Sequence, residues 1–186
     1  MSRKLVRGSM RFIVALFSIS FANIVFGPLA LADVRDRLEG FHQFKFGITE
    51  GDIRKLATVI NKGAEKGVPG GIRLKTSDKI TIKGVKYDLS FLMLEGRLYR
   101  INLWNEETMS DQVCGYLFGE IFGLIQAKYG PPDTGISENT FGGISTIRRA
   151  TFTFRDAGKL QPTTVSLGGN CTTSIAYTAG SGEDTF

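Results

Sequence analysis

Between residues 108 and 133 apolar side chains recur at helical spacing. Val113, Leu117, Phe118, Ile121, Phe122, Leu124 and Ile125 predict a helix that is apolar over most of its circumference. Thr108 with Asp111 three residues on has capping-box spacing, and Gly130-Pro131-Pro132 is a stop a helix cannot run through. A shorter helix is predicted after Thr49, capped with Asp52, with Ile53, Leu56, Ala57 and Ile60 on one stripe and fraying at 63–67.

Elsewhere the period drops to two. Residues 41–46 read as a short extended piece. Residues 72–75 and 80–83 alternate as strands joined through 76–79, and 87–94 follows. Glu95-Gly96-Arg97 is a tight turn into 98–104, where Leu98, Arg100, Asn102 and Trp104 alternate with Tyr99, Ile101 and Leu103. The stretch 137–147 is glycine-rich with a weak pattern, and 149–155, 163–167 and 172–178 read as three further strands. Short turns between strands require antiparallel pairing. The predicted fold is therefore α+β, an antiparallel meander with two main helices packed on one face. The two halves are similar in length, which leaves open a doubled helix-plus-strands unit, but no residue-level repeat extends beyond the start of each helix.

The N-terminus follows a different logic. Arg3, Lys4, Arg7 and Arg11 precede an apolar run over 12–26, Pro28 breaks it, and Ala30-Leu31-Ala32 matches a signal-peptidase site. Residues 1–32 are expected to be a cleaved signal peptide, 33–179 a single domain, and 180–186 a disordered tail. No cysteine follows the cleavage site, so a lipidated N-terminus is not expected. The expected location is periplasmic or extracellular.

Removing the signal alters the charge. The full chain is +5, but four of its 23 basic residues and none of its 18 acidic ones lie before Asp33, so 19 basic residues face 18 acidic ones and the net charge is +1. The basic character is largely a targeting feature, which removes the main support for nucleic-acid binding. What remains is uneven: 53–100 holds eleven basic and four acidic residues, 101–147 one basic and six acidic. Arg73, Lys75 and Lys83 form a candidate face for an anionic envelope polymer or glycolipid. The bland reading is a solvated face whose lysines discourage edge-to-edge strand pairing.

An oxidising compartment turns the two cysteines, Cys114 and Cys171, into an expected disulfide. A loop of that length contributes about 4 kcal/mol in the chain-entropy model.

Candidate chemistry is sparse. Glu106, Glu107 and Asp111 are the only dense carboxylates, and acids there also suit a helix N-terminus. Cys114 with His42, the only histidine, would make a thiolate–imidazole pair, which a disulfide precludes. No G-x-S-x-G, phosphate loop, dinucleotide fingerprint or H-E-x-x-H occurs, so no catalytic residue, metal site or cofactor is expected. Gly115, Gly119 and Gly123 recur along one side of the long helix and predict close backbone packing within the domain, with a partner face as the alternative. Tyr99, Arg100, Trp104 and Tyr116 are of the type that anchors protein interfaces.

Phe46-Gly47-Ile48-Thr49 and the Lys128-Tyr129-Gly130-Pro131 ending of 124–131, with the element order, resemble small secreted bacterial domains. The nearest are the β-lactamase-inhibitor-protein-like fold and the small outer-membrane-assembly lipoproteins, from which the missing lipidation cysteine departs. The resemblance implies helices on an antiparallel sheet and a domain that binds another envelope protein. The expected function is thus a non-enzymatic exported protein-binding domain acting as inhibitor, adaptor or assembly factor, with a binder of an anionic envelope polymer or small ligand through the basic 72–100 face as alternative.

Overall fold

The computed structural model describes residues 37–180. The signal-peptide expectation and all of the expected tail beyond Gly180 lie outside the described residues.

A two-strand hairpin, β1 (Gly40–Phe41) and β2 (Phe44–Lys45), precedes α1 (Glu50–Leu56). The capping box at Thr49 forms: its hydroxyl accepts from the Asp52 N–H, and the Asp52 carboxylate accepts from the Thr49 N–H. The helix is shorter than its apolar stripe predicts, ending at Leu56. The Asp78 carboxylate takes the Thr58 N–H at 3.0 Å, and the β-branched Val59 and Ile60 continue as strand β3 (Val59–Ala64). Ile60 is accordingly exposed.

Residues 72–75 and 80–83 are not two strands. Residues 72–75 and 80–82 belong to the single strand β4 (Ile72–Ile82), with Lys83 in the turn that follows, and the predicted connection is a bulge between Lys75 and Lys79. Thr76 keeps this polar stretch in the sheet, because its buried hydroxyl donates to the Leu89 carbonyl at 3.1 Å. Then come β5 (Val85–Leu94) and β6 (Arg97–Trp104). The intervening turns, Lys83-Gly84 and Glu95-Gly96, have positive φ at both positions, the twist a two-residue hairpin needs. In β6 the simple alternation fails once. Leu92 pairs with Arg100 and Met93 with Leu98, so Tyr99 is the extra residue of a bulge and Leu98 joins Ile101 and Leu103 in the core.

The long helix also starts later than predicted. Met109–Ser110 form a short strand, β7, paired with Asn170 and Cys171, so the chain is still extended there. Ser110 rather than Thr108 caps α2 (Asp111–Tyr129), its hydroxyl accepting from the Val113 N–H. The second half continues as β8 (Ile136–Phe141), β9 (Ser145–Ala150), β10 (Phe152–Thr153), β11 (Lys159–Leu167) and β12 (Asn170–Thr178).

One antiparallel sheet collects these strands in the order β3-β4-β5-β6-β12-β11-β9-β8, with β10 on β11 and β7 on β12. Each half is a meander, and the two meet at a central β6–β12 seam. Mixed α+β with a dominant sheet describes the molecule. The core cluster draws Phe118, Ile121 and Ile125 from α2, the fully buried Ile53 from α1, and Leu74, Leu89, Phe91, Ile101, Leu103 and Ile175 from the sheet. Cys114 of α2 and Cys171 of β12 are both buried and bonded, with Cα atoms 6.3 Å apart.

The glycine stripe does not pack inward as expected. Cys114, Leu117, Phe118, Ile121 and Ile125 occupy the inner side of α2. Gly119 and Gly123 face outward, and a Cβ on either would meet nothing within 4 Å; one on Gly115 would meet only the Arg148 guanidinium at 3.6 Å.

Candidate functional site

Residues paired across an antiparallel sheet point to the same side, so the register sorts the side chains into rows. One face carries the buried apolar residues of the core. On the other, a first row runs Arg73, Leu92, Arg100, Thr178, Lys159 across β4, β5, β6, β12 and β11. A second runs Lys75, Ser90, Asn102, Ala176, Gln161, and a third Asp88, Trp104, Ser174, Thr163, Arg149. Positively charged, amide and hydroxyl side chains dominate.

This open face is concave. A single depression of about 640 Å³ is lined by Arg73, Leu92, Arg100, Trp104, Thr163 and Arg149 among others, from β4 across to β9. The sheet's twist and its bulges at 75–79 and Tyr99 supply the curvature.

Three of the cations are neutralised. Arg73 bonds the Glu65 carboxylate at 2.5 Å, Lys79 pairs with the buried Asp88 at 3.2 Å, and Lys75 reaches Glu106 at 3.1 Å while its ammonium lies 5.4 Å from the centre of the Trp104 ring. The Lys75 bond lowers the pKa of the Glu106 carboxyl. Arg100, Arg149 and Lys159 have no carboxylate at ion-pair distance among the described residues. Arg149 donates to the Thr163 hydroxyl at 3.3 Å. The Nε of Arg100 is buried and has no acceptor. An unsatisfied buried donor costs about 1–3 kcal/mol, so its presence at the centre of this face calls for an explanation.

Four of the residues singled out from sequence, Arg73, Lys75, Arg100 and Trp104, come together here. Tyr99 adjoins them: it lines a neighbouring depression of about 540 Å³ with Arg100, Lys159 and Thr178. Lys83 and Tyr116 lie apart. Lys83 sits in a hairpin turn and its ammonium pairs with Glu120 of α2 at 2.8 Å, which raises its pKa. Tyr116 is 68% exposed on α2. Arg149 and Lys159 were not marked by any sequence signal, because only the pairing of β9, β11, β12 and β6 brings them near Arg100.

The thiolate–imidazole pairing of Cys114 with His42 does not form. Cys114 is held in its disulfide. His42 lines a separate, mostly apolar depression of about 420 Å³ with Ile82, Leu124, Lys128 and Tyr177, where burial pushes the Tyr177 phenol well up. Glu106 is engaged by Lys75, and Asp111 accepts from the Ser166 hydroxyl at 2.7 Å. Among the described residues no group of three His, Cys, Asp or Glu side chains is placed to hold a metal, and no helix is long and apolar enough to cross a membrane.

No protein-family model, curated protein or solved structure matches this chain. The open face must therefore be read from its own chemistry. It offers curvature, an aromatic ring and unneutralised cations set among hydrogen-bonding groups.

Proposed function

We propose that the chain is an exported, non-enzymatic protein-binding domain, acting as an inhibitor, adaptor or envelope assembly factor, and that the open sheet face is its docking surface. The observation that carries this reading is the wide concave depression across six strands, with Trp104 and arginines in it, residue types that anchor interfaces. Export is supported by the signal-like pattern over 1–32 and by a disulfide of the kind oxidising compartments sustain. The fold we infer is a helix followed by a meander, used twice with both helices on the core face. The meeting of the last strand of each meander at the centre of the sheet supports that doubling.

A photo-crosslinking residue at Ser174 or Thr163, compared with one at Gln112 or Gln126 on α2, tests the surface in cells. Adducts to a discrete protein from the sheet positions alone are the expected result. Adducts from the helix positions alone would move the docking surface to α2. The second reading, binding of an anionic envelope polymer, is favoured by the unneutralised Arg100, Arg149 and Lys159. It predicts no protein adducts and a salt-sensitive association with glycolipid.

A further inference from the structure

We infer that the open face receives an acidic segment of the partner protein, and that Arg100 is the receptor for one of its carboxylates. This rests on the reading of that face as a protein-docking surface and names the chemistry of what docks there.

The first row sets Arg73, Arg100 and Lys159 on alternate strands, with Leu92 and Thr178 between them. Next-but-one strands lie about 10 Å apart, so the three cations form a ladder of about that spacing. Arg73 is balanced by Glu65, whereas Arg100 and Lys159 have no carboxylate among the described residues. Arg100 is also the middle member, and its shielded Nε–H lacks an acceptor. A guanidinium presents Nε–H and an Nη–H side by side, a fork that fits the two oxygens of a carboxylate. A ligand carboxylate would neutralise the row, and a turn of the Arg100 side chain toward it would give the orphaned donor its acceptor.

The neighbouring row favours a polypeptide over a uniform polyanion. Ser90, Asn102 and Gln161 put neutral hydrogen-bonding groups beside the cations, suited to peptide N–H and C=O groups. Discrete cations about 10 Å apart match acidic residues three apart in a polyproline II chain, where every third side chain shares a face at roughly 3.1 Å per residue. Polyphosphate carries charge at every unit and has no N–H to donate to the amide carbonyls of Asn102 and Gln161.

Calorimetric titration of the full chain with a synthetic peptide bearing glutamate at every third position tests this, beside its glutamine counterpart and sodium polyphosphate. The glutamate peptide is expected to bind, and the glutamine peptide to bind about tenfold more weakly or not at all. Arg100→Gln and Arg100→Lys should both weaken the glutamate peptide by about tenfold, because lysine keeps the charge but not the fork. Lys83→Gln, on the far turn, should leave binding unchanged. Equal binding of the glutamine peptide, full binding by Arg100→Lys, or tight binding of polyphosphate with none of the peptide would each overturn the inference. If the Arg100 variants fail to fold, the exposed pair Arg149→Gln with Lys159→Gln carries the test, and unchanged binding there overturns it. Open-face adducts without peptide binding would leave the docking surface standing and remove the acidic partner. Peptide binding without such adducts would remove the docking reading alone.

Discussion

Along β5, Leu89 and Phe91 are buried among core side chains, while Ser90 and Leu92, each one residue further on, belong to the opposite face with Lys75 and Arg73. The same alternation runs through β6, where Ile101 and Leu103 point into the core and Arg100, Asn102 and Trp104 point out. One face is closed by packing and has no freedom to bind anything. The other holds donors and charges that the fold itself leaves partly unanswered. The packed core and the unanswered donors and charges lie on opposite sides of the same strands, one residue apart, so each can be altered without the other.

The largest effect is expected from Phe91→Ala on the closed face, a loss of about 3–5 kcal/mol in denaturant unfolding. A loss below about 1 kcal/mol would break the contrast. Replacing Cys114 and Cys171 together by alanine should cost about 2–4 kcal/mol, read as a lower midpoint than that of the oxidised parent. On the open face the sign should reverse. Arg100→Met removes a buried donor without an acceptor and should leave stability unchanged or raise it by about 1–3 kcal/mol. A clear loss would mean that Arg100 belongs to the fold.

A smaller gain is expected on the outer side of α2. Gly119→Ala and Gly123→Ala fill open space in a helix and should each stabilise by about 0.4–1 kcal/mol, measurable as a raised melting temperature. Smallest is a pH effect at α1. Bonds from Lys55 and then Thr49 hold the Asp52 carboxyl down to about 2. Its folded pKa is below its unfolded one, so its contribution is complete above the ordinary carboxylate range and is lost as pH falls from about 4 toward 2. Amide exchange in α1 should quicken over that window, and Asp52→Asn should abolish the pH dependence.

What the sequence disclosed was local. The Thr49–Asp52 box, the Glu95-Gly96 turn and the strands around 87–104 follow from neighbours within a few residues, and the cysteine pairing needed only a count and a compartment. What it concealed was contingent on distant partners. Asp78 ends α1 from twenty residues away, and pairing with Asn170 and Cys171 keeps Met109 and Ser110 extended and delays α2. The candidate site divides the same way. Arg73, Lys75, Arg100 and Trp104 were marked by residue type and alternation. Their meeting with Arg149 and Lys159 depends on the β6–β12 seam, which no local pattern encodes. Lys83 was turned away by the very hairpin that made it look like part of a basic strand.

That seam also governs how the chain reaches its shape. β12 is the last strand in chain order, yet it fills the middle of the sheet. Until residues 170–178 arrive, β6 ends the first meander as an open edge, with Ile101 and Leu103 short of their partners Tyr177 and Ile175. Closing it is a search over long sequence separations, the kind of step that sets folding times of roughly milliseconds to seconds. Once formed, the Cys114–Cys171 bond moors β12 to its own helix, so a second molecule can supply that strand only by exchanging α2 and everything between.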